Sequence, residues 1–287
     1  MQQLVLGTAQ WGDSYGITNH QGRLSDHAIK QIAELALNVG ISKVDTAAGY
    51  GDAEVRLAPW AKSFKVTSKI QGSHPLSVSS QIQQSLTNLE IEALEGALVH
   101  DWPSLTNEDA KRAVQGLREA QEEGLVSRIG ISAYDEHDLH RAIDFFGIVE
   151  AVQLPFNILD RRLLGTEALH ELMRQGCDVQ VRSVFLQGLL AAESHAPLSD
   201  HSDVKKFHET CASKNIDPLS MALAFVQLQP WVGKVVVGVT SANELAHIQA
   251  AWNANLANEE TMKTMVDTFA ESQDLSLIDP RNWARSQ

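Results

Sequence analysis

The chain has 287 residues, 44% of them hydrophobic, so it can bury a sizeable core without disulfide or metal staples. Its 36 acidic and 23 basic residues leave a formal charge of -13, which argues against nucleic acid or an anionic membrane surface as partner. The two cysteines, Cys177 and Cys211, stand in no metal or redox spacing, and there is neither a basic leader nor a run approaching ~18 apolar residues, so a soluble, cytoplasmic protein in a reducing compartment is expected.

Leu4 to Thr8 reads as a strand, and the Gly/Asp/Ser/Asn-rich stretch to Arg23 as a long loop. Ser25 then caps an amphipathic helix that stops at Gly40. The unit recurs: strand near 42–45, helix 52–62, strand 64–69, helix 77–89, strand 95–100, helix 107–123, strand 127–132, helix 136–146, strand 149–153 and helix 163–175. The strand 178–184 precedes helices near 203–214 and 218–228, and a last strand, 234–238, precedes a helix beginning after Ser241. Eight short apolar strands alternating with helices call for a parallel sheet covered by helices, and right-handed crossovers close it into a single-domain (β/α)8 barrel spanning 1–287. A doubly wound sheet would show a glycine-rich phosphate turn after its first strand, and Gly7-Thr-Ala-Gln-Trp-Gly12 is not one. From Asn258 the tail adds a further helix, and the run Leu277 to Trp283 is placed to fold back over one end of the barrel.

Functional groups of such barrels sit at the C-terminal strand ends, which is where Asp45, Lys69 and His100 fall, with Tyr50 five residues beyond Asp45. A lysine ammonium beside a phenol favours the phenolate, an aspartate keeps that lysine charged, and an imidazole can orient a carbonyl or pass it a proton. The set suits protonation of a carbonyl oxygen while hydride arrives at carbon from a nicotinamide, since no side chain supplies hydride. Taken singly, a strand-end Asp, Lys or His is more often a cap or a surface charge. Four in register are harder to explain that way.

Asp45-Thr-Ala-Ala-Gly-Tyr-Gly-Asp-Ala-Glu54 resembles the signature of the aldo/keto reductases, and Lys69 and His100 match the other two members of that family's catalytic tetrad. Further similarity runs through 7–12, 130–132, 151–157, 183–190 and 238–245, nearly the whole chain. The resemblance implies Tyr50 as general acid/base, Lys69 tuning it, Asp45 paired with Lys69, and His100 orienting substrate. It implies a nicotinamide dinucleotide, NADP with NAD as the alternative. Ser132 and Gln153 would be at the carboxamide, Ser183, Phe185, Gln187 and Gly188 beside the ring and pyrophosphate, and Gly238, Thr240 and Ser241 at the adenosine end. The sequence departs from the family pattern at Ala133, where many members carry an amide, and at Arg182, in the place of a stacking aromatic. It also departs at Glu244, in a stretch without the Lys or Arg that meets an NADP 2′-phosphate.

Trp11, Tyr15, Trp102 and Arg182, with Phe156 and the tail around Arg281 and Trp283, are expected to wall a substrate pocket suited to an aldehyde, an aldose or another sugar-derived carbonyl. A metal site is not expected, because His195, Asp200, His201 and Asp203 form no recognised ligand spacing. The expectation is a monomeric carbonyl-reducing enzyme. The alternatives are a nicotinamide-binding regulatory or sensor barrel with weak turnover, and a lyase using Lys69 as a Schiff base.

Overall fold

The computed structural model describes residues 2–254, 269, 271–272 and 274–283. Eight parallel strands close into a barrel in sequence order: β1 (Gln3–Gly7), β2 (Lys43–Asp45), β3 (Lys65–Ile70), β4 (Gly96–Val99), β5 (Ile129–Ser132), β6 (Ala151–Pro155), β7 (Asp178–Arg182) and β8 (Lys234–Gly238). The seam is the β1–β8 ladder, with Gly7 opposite Gly238. Outside run α2 (Asp26–Asn38), α3 (Ala53–Ala61), α4 (Val78–Leu89), α5 (Asn107–Glu122), α6 (Glu136–Phe146), α7 (Glu167–Arg174), α8 (Ser202–Ser213), α9 (Pro218–Gln227) and α10 (Ala242–Ala254). This is the expected (β/α)8 architecture, with two helices between β7 and β8.

Local chemistry explains the boundaries. Ser25, Ser77, Thr106, Thr166 and Asp217 each accept a backbone N–H from the first turn of the helix they precede, and Asp135 forms a reciprocal capping box with Asp138. Strand residues alternate between two environments. Leu4, Leu6, Val44, Val66, Val152, Val179, Val181 and Val235 are buried members of the hydrophobic core, while the intervening positions supply inward polar groups including Asp45, Lys69 and Gln153.

Three expectations are corrected. The stretch after β1 is not all loop, because Ala9–Gly12 forms one helical turn, α1. The helix expected from 163 begins at Glu167: Gly165 turns at φ +78 and Thr166 supplies the cap. The strand expected to reach Val184 ends at Arg182, because Ser183 takes a left-handed turn at φ 61. The helix expected from Asn258 lies outside the described residues.

The tail does return to the barrel. Ser272 N–H donates to Leu159 O, and the short helix α11 (Leu275–Ile278) leads to Asp279, which is bound by Arg162 at 3.0 Å. That brings Arg281 over the Tyr134 ring, 4.0 Å from its centroid, at the C-terminal end of β5.

Candidate active site

Inward alternation at the C-terminal strand ends brings Asp45 from β2 and Lys69 from β3 face to face, both almost fully buried. Lys69 Nζ donates to Asp45 Oδ2 at 2.6 Å, to Thr46 O at 3.1 Å and to Tyr50 Oη at 3.4 Å. An ammonium has three N–H groups, and each has an acceptor. Burial opposes the charge on Lys69, but the Asp45 carboxylate and the Tyr50 phenol outweigh it, so its pKa is held above the usual lysine value. The other Asp45 oxygen accepts from Gln153 Nε2 at 2.7 Å, which fixes the carboxylate from both sides.

Tyr50 is carried on the turn between β2 and α3. Its Oη stands at the floor of a cleft of about 250 Å³ that Asp45 and Gln153 also line. Its backbone rests on α1 so closely that a Cβ on Gly12 would overlap the Tyr50 carbonyl oxygen. Only glycine permits that approach. His100 follows β4 and meets the Tyr50 ring edge-on at a centroid distance of 5.7 Å. Burial, then Lys69 and Arg182, push the His100 pKa down to about 3, so the imidazole is neutral at physiological pH.

The cleft runs from this group to the start of α10. Gly7, Gln10, Tyr15, Thr18, Arg182, Ser183, Phe185, Gln187, Gly188, Gly238, Thr240 and Glu244 line it. The loop after β7 is wound left-handed through Leu186, Gln187 and Gly188, with φ of 45, 54 and 98. It is held from across the cleft: Ile17 N–H donates to Gln187 Oε1 at 3.2 Å, Thr18 Oγ1 donates to Gln187 O at 2.8 Å, and Asn157 Nδ2 donates to Ser183 O at 3.0 Å. Glu244 sits at the far end, accepting from Thr240 N–H at 2.7 Å and from Thr240 Oγ1 at 3.0 Å.

A nicotinamide dinucleotide fits this chemistry. Gln153 Oε1 and Gln10 Oε1 are buried acceptors without a partner among the described residues, and both side chains belong to the cleft lining. Buried acceptors are normally satisfied, and a ligand bearing N–H groups in the cleft would satisfy both. Ser132 is buried beside Gln153 in the β5–β6 ladder, and Ser241 Oγ caps α10 by accepting from Glu244 N–H; neither is among the cleft-lining residues.

Several expected wall residues are elsewhere. Trp11 and Trp102 are both 0% exposed. Trp102 packs edge-on against Phe145, donates Nε1–H to Asp138 O at 3.1 Å, and is covered by Arg141. Phe156 is also fully buried, stacked on Phe225 at 5.0 Å. Trp283 donates to Leu277 O within the tail. Trp11, Trp102 and Phe156 belong to the core, Trp283 packs half-buried against it, and none of the four is among the cleft-lining residues. Tyr15 and Arg182 do line the cleft. Sequence reasoning missed Gln10 and Tyr134. Gln10, within the opening Gly7-to-Gly12 segment, was open to detection as a polar group just after a strand end, as was Tyr134 two residues past Ser132.

Comparison with known proteins bears on the family and the fold. The family model described as the Aldo/keto reductase family matches residues 3–267. The chain is 27% identical over 184 residues to the methylglyoxal reductase DkgA of Escherichia coli K12, covering 61% of this chain and 62% of that protein. It is 30% identical over 186 residues to an aldo-keto reductase of Mycolicibacterium paratuberculosis, covering 61% and 59%. The match thus spans somewhat under two thirds of the length of these curated relatives. Among solved structures, an aldo-keto reductase of Bacillus halodurans in its holo form superposes with a TM-score of 0.75 at 18% identity, covering 95% of this chain and 94% of that one. The thermostable aldo-keto reductase Tm1743, solved with the inhibitor epalrestat, gives 0.73 at 20%, covering 94% and 96%. At such identities the likeness bears on fold alone. With its model match over nearly the whole length, the chain belongs to the aldo/keto reductase family.

Proposed function

We propose that this protein is a nicotinamide-dependent carbonyl reductase in which Tyr50 handles the proton on the substrate oxygen. The observation that carries this reading is Lys69, whose buried ammonium joins the Asp45 carboxylate and Tyr50 Oη at the floor of an open cleft. When bound, the dinucleotide supplies the hydride that no side chain can provide.

The chain's own groups do the rest. Tyr50 Oη passes its proton to the carbonyl oxygen as that oxygen gains charge, and Lys69 stabilises the phenolate left behind. Asp45, held by Gln153, keeps the ammonium in place. With its pKa pushed down to about 3, His100 is not the proton source at neutral pH. Its neutral N–H orients the carbonyl instead. Ser132, Gln153, Ser183, Phe185, Gln187, Gly188, Gly238, Thr240 and Ser241 are proposed to hold the dinucleotide, Gln153 through its unpartnered Oε1.

Of the two dinucleotides, we infer NADH in place of the NADP that the family resemblance implies. Thr240 and Glu244, at the far end of the cleft from Tyr50, would hold the adenosine end, and there the described lining residues offer a carboxylate and no lysine or arginine. A 2′-phosphate there would meet repulsion without compensation.

Quenching of the fluorescence of the 6 tryptophans tests both statements when NADH and NADPH are titrated separately. Both should bind, NADH about tenfold tighter or more, a gap of ~1.4 kcal/mol. Initial rates on aldehydes follow, with aldoses and methylglyoxal on the panel. Failure to bind either dinucleotide would overturn the reading.

A further inference from the structure

Arg182 lines the cleft, Arg281 shares the Tyr134 ring with it, and Arg162 shares Asp279 with Arg281, but the partners of the three differ. Arg162 is bound by Asp160 and Asp279, and Arg281 by Asp279 as well. Arg182 has no carboxylate within ion-pair distance among the described residues. It donates to Ala133 O at 3.2 Å and to Ser183 Oγ at 3.4 Å, and its guanidinium lies over the Tyr134 ring, 4.3 Å from the centroid. A guanidinium has five N–H groups, so three remain.

Among the described residues lining the cleft, Arg182 is the sole lysine or arginine. It ends β7 on the inward face, opposite Pro155 and two residues past Gln180, which puts it at the end that holds Tyr50 and Gln153. Its charge reaches the reacting group, helping to depress His100. The other charges there cancel, since Lys69 and Asp45 form a buried pair. The reacting end of the cleft therefore carries one pre-positioned positive charge that has free donors and, among the described residues, no carboxylate in ion-pair contact, Asp160 acting on it only from longer range.

We propose that Arg182 is a substrate-specificity residue, and that the protein takes carbonyl substrates bearing their own anionic group, a carboxylate or a phosphate, which Arg182 binds. This rests on the carbonyl-reductase reading and goes beyond it by naming the substrate class. A planar fork of N–H donors matches either anion in two-point fashion, and the Tyr134 face holds the fork in orientation.

The test compares anionic with neutral aldehydes on the wild-type enzyme: succinic semialdehyde against its isosteric amide 4-oxobutanamide, and glyceraldehyde 3-phosphate against glyceraldehyde. A charge-assisted contact made at a preformed site should raise kcat/KM for the anionic member about 10- to 100-fold. The pair showing the larger ratio identifies carboxylate or phosphate. Arg182→Met should abolish the ratio while leaving dinucleotide affinity within about threefold, and Arg182→Lys should restore part of it. Equal kcat/KM within both pairs overturns the proposal. So does an Arg182→Met variant that weakens the dinucleotide tenfold and slows charged and neutral aldehydes alike, because the arginine would then serve the dinucleotide. If no aldehyde is reduced, the carbonyl-reductase reading fails by itself, and Arg182 is judged by calorimetric titration with 4-hydroxybutyrate and glycerol 3-phosphate. Binding lost in Arg182→Met upholds the anion site, and absence of binding to wild type overturns it.

Discussion

Lys69 and His100 show how one environment separates two bases that in water titrate within a few units of each other. Both are buried near the same phenol, yet Lys69 has a carboxylate at 2.6 Å while the charges acting most strongly on His100 are the cations Lys69 and Arg182. The lysine stays charged and the histidine stays neutral. Following the His100 Cε1–H resonance from pH 8 to 5 should therefore show no titration, whereas an ordinary histidine would pass through its midpoint near ~6.5. The sign for stability follows from proton counting. Between about 3 and ~6.5 the unfolded chain binds a proton at His100 that the folded chain does not, so this residue lowers stability as pH falls through that window. Thermal melts of His100→Gln should be less sensitive to pH over the same range. At this scale the sequence disclosed the polar groups as a set, because Asp45, Tyr50, Lys69 and His100 in register are harder to explain as caps or surface charges than any one of them alone. It disclosed aromatics poorly: Trp11, Trp102 and Phe156 read as pocket walls, but ring identity alone does not say whether helix or solvent lies beside it.

Between residues and fold lie the short connections that aim them. The turn bearing Tyr50 is seated on α1, and the contact requires Gly12. Gly12→Ala should displace the phenol by a fraction of an ångström or more and reduce kcat by about 10²-fold, with dinucleotide binding less affected. A kcat within twofold of wild type would show that the turn is positioned by something else. The tail supplies a second case. Burial alone would raise the Asp279 carboxyl, but hydrogen bonds from Arg281 and Arg162 outweigh it and bring its pKa down to about 2. The stabilisation is thus fully present above the ordinary aspartate value of about 3.9 and is lost as pH falls toward 2. Asp279→Asn should cost about 3 kcal/mol at pH 7, measured by denaturant unfolding, and much less at pH 2. The start of α2 was legible from its cap, Ser25. The α7 boundary and the end of β7 were not, because Gly165 and Ser183 turn the chain through left-handed φ values that apolar periodicity does not register.

For the molecule as a whole, alternation of apolar strands and amphipathic helices was enough to reveal the barrel, since parallel strands joined by right-handed crossovers leave few other closures. The cleft was only partly legible. Strand-end residues such as Asp45, Lys69, Gln153 and Arg182 are placed by the barrel itself, but Thr18 and Gln187 meet across 169 residues of sequence, a pairing that local pattern does not encode. The barrel's outer core offers its own check. Phe156→Ala should destabilise the protein by about 3–5 kcal/mol while leaving KM for aldehydes unchanged, because its ring packs on Phe225 and Trp231 rather than on substrate. In the function proposed above, the barrel places one phenol, Tyr50, where it would protonate a carbonyl oxygen. Single-turnover reduction of an aldehyde at saturating dinucleotide, compared between wild type and Tyr50→Phe, tests it most directly. The account predicts a loss of about 10²- to 10⁴-fold in the rate with dinucleotide affinity retained. A Tyr50→Phe enzyme that reduces the aldehyde at close to the wild-type rate would contradict it.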